Sequence, residues 1–105
     1  MIVKYGADID KKAIAFNLKK LINQTYKLLP NWEEDIDWRK PLETILEEFA
    51  GMDKMLIGQH ELLFSIMCKL EGLFDCSEED FMLFRRTIFE VLGLIGSLRD
   101  NVCQN

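Results

Sequence analysis

Hydrophobic positions recur along this chain at helical spacing, and strand-like alternation is confined to a possible short extended piece at residues 2–5. From Asp8 or Asp10, either able to cap a helix, Ile14, Leu18, Leu21, Ile22, Leu28 and Leu29 fall on one arc at 100° per residue, with Thr25 and Tyr26 at its edge. The spacing predicts a first helix reaching Leu29 and ended by Pro30, because the residue before a proline is pushed out of the α region. Its opposite face collects Lys12, Lys19, Lys20, Lys27 and Asn23, with Phe16 among them.

Residues 30–37 read as a polar, acidic linker around Trp32. A second helix is expected to begin near Trp38, with Pro41 in its first turn, where a missing N–H costs little. Trp38, Leu42, Ile45, Leu46 and Phe49 form its stripe, Glu43, Glu47 and Glu48 face outward, and Gly51 is the expected left-handed closing residue. Asp53 can cap a third helix running to about Phe74, centred on Leu56, Leu63, Met67, Leu70 and Phe74 and widened by Ile57, Phe64, Ile66 and Leu73. The fourth helix has the clearest start, with Ser77 as N-cap, Asp80 completing a shortened capping box, and Cys76 placed to staple against Phe81. Phe81, Phe84, Ile88, Val91, Leu92, Ile95, Leu98 and Val102 line one side of it, while Met82, Leu83, Phe89 and Leu94 carry apolar surface around most of the rest.

The architecture that follows is all-α: one domain over residues 1–105, an up-down four-helix bundle with short loops, a flexible or extended segment 1–7 and a disordered tail 103–105. With 105 residues there is room for one core and not two. The opening residues lack the apolar stretch of a secretory signal, and no run approaches the ~18 uncharged apolar residues of a membrane span. The expected setting is therefore cytoplasmic, away from the membrane, with Cys68, Cys76 and Cys103 as reduced thiols.

Charge sharpens the picture. The net charge is -5, yet residues 1–30 hold six lysines against two aspartates, and residues 31–53 hold eight acids against Arg39 and Lys40. An acidic chain with no basic recognition helix has little electrostatic drive toward nucleic acid, so that partner class is disfavoured.

Apolar surface beyond one stripe on the third and fourth helices calls for a partner, and a second copy is the simplest one. Gly93 and Gly96 lie on the flank bearing Met82 and Phe89, where another backbone can approach closely. Gln59, His60 and Glu71 fall inside the apolar arc drawn for the third helix, and Arg85 inside that of the fourth. His60 is expected to be a satisfied core or interface histidine, and Arg85 either pairs with a carboxylate such as Glu71 or receives an anion. Trp38 is expected in the core, and Trp32 either lids the bundle or marks a contact site.

Catalytic constellations are lacking in the sequence. One histidine without partner histidines or paired cysteines makes no ordinary zinc site, and no phosphate loop, G-x-S-x-G or H-E-x-x-H occurs. Cys68 and His60 stand on different sides of one helix, so they cannot form a nucleophile–base pair within one chain. A Mg²⁺-dependent all-α nucleotide pyrophosphohydrolase would need inward acids. Glu34 and Asp37 have that spacing but lie in a loop, and Glu43, Glu47 and Glu48 point away from the stripe.

The expected function is thus binding without catalysis, cofactor or metal. A homo-oligomeric helical module would act on another protein as adaptor, assembly subunit or inhibitor. The candidate contact residues are Lys12, Phe16, Lys19, Lys20, Lys27, Trp32, His60, Arg85 and Phe89. The alternative is an oligomer holding a small, nucleotide-like anion, with Arg85 and nearby lysines on its phosphates.

Overall fold

The computed structural model describes residues 11–56 and 58–103. Five helices follow in order: α1 Lys11–Tyr26, α2 Leu28–Glu33, α3 Arg39–Met55, α4 His60–Gly72 and α5 Phe81–Cys103, with 3₁₀ turns at Leu73–Asp75 and Glu78–Asp80. No strand occurs among the described residues. The caps expected at Asp8 or Asp10, the extended piece at residues 2–5, the segment 1–7 and the place given to Ile57 lie outside them.

Each long helix gives one face to a common core. Leu18 and Leu21 come from α1, Leu42, Ile45 and Phe49 from α3, Leu63, Ile66 and Leu70 from α4, and Phe84, Ile88, Val91, Ile95 and Leu98 from α5, all essentially solvent-free. The most extensive packing joins α1 to α5; α4 lies against both α3 and α5, and α1 also meets α3. The result is an elongated body of 44 × 20 × 19 Å. Polar ties across the helices include Asn101 Nδ2, which donates to the buried Gln59 Oε1 (3.2 Å), and Lys69, which pairs with Glu90 (3.0 Å) on the α4–α5 surface.

The start of the last helix is as expected. Asp80 Oδ2 accepts from both the backbone N–H and the hydroxyl of Ser77 (3.1 Å each), although the first turn is 3₁₀ and α5 proper begins at Phe81.

Several boundaries differ from expectation. Pro30 does not end the helical path; it lies inside α2, in what was read as linker, and the interruption falls between Tyr26 and Leu28. The proline ring conflicts with the carbonyl four residues back, here Tyr26, and its missing N–H is harmless in the first turn of a new helix. Gly51 does not close α3, which continues to Met55. Left-handed backbone occurs instead at Asp35 (φ 58°) and Gly58 (φ 94°). Asp35 ends α2 in a Schellman motif, with Ile36 N–H donating to Asn31 O (2.8 Å) and Asp35 N–H to Trp32 O (3.2 Å).

Asp53 does not cap the third helix but sits in the last turn of α3, so α4 starts seven residues later, at His60. Cys103, expected in the tail, is the last residue of α5.

Candidate functional site

The candidate residues fall in three places. The first is the surface shared by α1 and α5. Lys12, Phe16, Lys19 and Lys20 are all exposed on α1, with Phe16 72% accessible, and Lys27 is exposed at the break that follows. Across the groove Phe89, 43% accessible, meets the exposed Tyr26 ring edge-on at 6.4 Å, which links the two helices. Met82, two turns before it on α5, is 69% accessible.

Arg85 neither enters the core nor pairs with Glu71, contrary to expectation: it is exposed, and its guanidinium lies over the Phe89 ring at 5.0 Å. The buried stripe of α5 is narrower than its apolar composition implies: Phe84, Ile88, Val91, Ile95, Leu98 and Val102 are fully buried, and Phe81, Leu92 and Leu94 are only partly covered. Arg85 therefore falls at the margin, where its planar cation rests on an aromatic face. Met82, Arg85, Arg86, Phe89 and Glu90 line an open depression of about 470 Å³.

The second place is an aromatic cluster. Trp32 is half-buried and stacks on Trp38 at 5.3 Å, with Phe84 at 4.3 Å and Phe81 at 6.0 Å. Trp38 is buried and also meets Phe84 and Phe74. Trp32 thus lids this end of the core, carried by α2, which also buries Leu28 and Leu29. Beside the cluster lies a cleft of about 600 Å³ bordered by Trp32, Asp35, Ile36, Asp37, Trp38, Arg39, Cys76 and Ser77. Its polar edge is partly consumed: Asp37 Oδ1 accepts from the Arg39 N–H (3.0 Å) at the start of α3, and the Arg39 guanidinium covers Trp38 at 4.4 Å. Cys76, at the cleft, has its thiol pKa pushed up by burial first and by Asp80 and Asp75 second.

The third place holds His60, which is not a core histidine. Its side chain is 71% accessible at the first residue of α4, and Nδ1 donates to Asp53 Oδ1 at 2.9 Å, clasping the α3–α4 connection. The expected arc ran on unbroken from Asp53, whereas α3 ends at Met55 and a new helix starts at His60, which leaves the imidazole at an exposed helix end. Glu71 is likewise exposed, and of the polar residues expected in apolar surroundings only Gln59 is buried.

The structure links α1 to Phe89 through Tyr26, leaves Lys12, Phe16, Lys19, Lys20 and Lys27 exposed on α1 or just after it, sets Arg85 beside Phe89 on α5, and leaves Trp32 and His60 apart. Sequence reasoning missed Tyr26, whose edge position on α1 was visible but whose contact with Phe89 requires the α1–α5 packing. It also missed Asp37 and Arg39 at the aromatic cleft.

Among the described residues no group of three or more His, Cys, Asp or Glu side chains is placed to hold a metal ion, and no helix is long and apolar enough to cross a membrane. No protein-family model matches this chain, and neither a curated protein nor a solved structure matches it.

Proposed function

We propose that this chain is a cytoplasmic, non-enzymatic interaction module, an up-down helical bundle that self-associates and acts by occupying another protein as adaptor, assembly subunit or inhibitor. One observation carries the reading: α1 leaves Phe16 and Tyr26 exposed on the helix that also exposes Lys12, Lys19 and Lys20, and α5 leaves Met82 and Phe89 exposed beside Arg85 and Arg86. Aromatic and methionine side chains ringed by cations suit an acidic protein surface, with the apolar groups supplying affinity and the lysines steering the encounter.

The test compares the wild-type chain with a Phe16→Ala, Lys19→Glu, Lys20→Glu variant as bait in quantitative affinity capture. The reading predicts one acidic protein retained by the wild type, lost by the variant and released as salt rises. Capture indifferent to both the variant and salt would contradict it.

A second reading rests on the depression beside Arg85. Two guanidinium groups and the Phe89 ring offer phosphate and base contacts to a nucleotide-like anion. Thermal denaturation with mononucleotides, dinucleotides and cyclic nucleotides discriminates, because a ligand of the folded state raises the melting temperature. A shift abolished by Arg85→Ala supports this reading, and no shift with any of them eliminates it.

A further inference from the structure

The outer face of α5 carries a pattern that its own chain leaves largely exposed, with Phe89 partly engaged by Tyr26 and Arg85. Met82, Arg86, Phe89, Gly93, Gly96 and Asp100 follow one another at alternating steps of four and three residues, the spacing of a helix–helix seam. They lie opposite the buried stripe of Phe84, Ile88, Val91, Ile95 and Leu98. Glycine inside a helix is destabilising relative to alanine. A Cβ at Gly93 or Gly96 would meet nothing within 4 Å, so no contact within one copy calls for either glycine. Arg86 and Asp100 are exposed, and neither forms an ion pair among the described residues.

Building on the self-association proposed above, we infer that two copies pair through antiparallel α5 helices crossing at Gly93. A two-fold axis there exchanges positions equally far on either side. Arg86 and Asp100 each stand seven residues from Gly93, so each Arg86 faces Asp100 of the partner subunit. Phe89 stands four residues before Gly93, so each aromatic ring falls opposite the small Ser97 of the partner subunit, one residue from its Gly96. Charge and shape are thus both self-complementary in one arrangement, as an isologous interface requires. A parallel pair would set Arg86 against Arg86 and Phe89 against Phe89. A foreign helix would explain the glycines but not the match of the two charged ends.

Sedimentation velocity on the full chain, with circular dichroism as the check on folding, tests this arrangement through Arg86→Asp, Asp100→Arg and the double variant. The wild type should dimerise, each single variant should weaken dimerisation at least tenfold, and the double variant should recover it. An equimolar mixture of the two single variants should also dimerise, since each then supplies the charge the other lacks. Single variants that dimerise like the wild type, or a double variant and mixture that fail to recover, would overturn the α5 arrangement while leaving self-association in place. A wild type that stays monomeric at every concentration would overturn both.

Discussion

Thr25 is fully buried on α1, yet its hydroxyl finds no hydrogen-bond partner among the described residues. Thr44 and Ser97 show the usual remedy, each donating to the carbonyl four residues back, Lys40 O at 3.3 Å and Gly93 O at 3.2 Å. An unsatisfied buried hydroxyl costs about 1–3 kcal/mol, so Thr25→Val should stabilise the protein by up to that amount in urea unfolding. Unchanged or reduced stability would show that the hydroxyl is satisfied. Cys76 bears a second prediction at this scale. Its pKa is raised above the ordinary 9.0, so in the unfolded chain the thiol ionises at lower pH than in the folded one. The stability it contributes is complete below that value and is lost as pH rises through and beyond it. Wild-type stability should therefore fall more steeply above pH 9.0 than that of Cys76→Ala, and peptide-resolved alkylation should modify the exposed Cys68 well before Cys76. Equal slopes and equal labelling would contradict the burial argument. Single residues were legible in the sequence where phase was unambiguous, as for Trp38 in the core and Phe16 outside it. His60 and Arg85 were misplaced because each lies near the edge of an arc, where a small error in helix start or width moves a side chain from core to water.

Among the elements, the start of α5 depends on contacts inside one short stretch, which is why it could be read directly. Ser77 and Asp80 are three residues apart and bond each other. Asp80→Ala should cost about 0.5–2 kcal/mol, seen as a lower urea midpoint, and loss of the carboxylate without effect would mean that the turn is held by packing alone. Boundaries set by longer-range packing were not legible. Pro30 and Gly51 are local signals for stopping, but α2 is held by Trp32 on the aromatic cluster, and α3 runs past Gly51 to bury Met52. The left-handed residue that ends α2 is Asp35, a type that tolerates this conformation without announcing it as glycine does. Ties such as Gln59 to Asn101 join residues far apart in sequence, and no periodicity encodes them.

On the scale of the whole molecule, the all-helical class followed from 3–4 spacing sustained along the chain, and the core assembled from the same stripes. What spacing cannot give is how much of each stripe a neighbour covers. The expected surplus of apolar surface is present on α5 as Met82, Leu83 and Phe89, and on α4 as Phe64, while α1 adds Phe16 and Tyr26. Burial of such side chains is favourable by roughly 25 cal/mol per Å² of apolar surface removed from water, which is the gain the proposed association would draw on. Light scattering on the size-separated wild-type chain tests that claim most directly. The account predicts a mass that is a multiple of 12.3 kDa and that falls toward 12.3 kDa on dilution. A constant mass of 12.3 kDa at every concentration would contradict it.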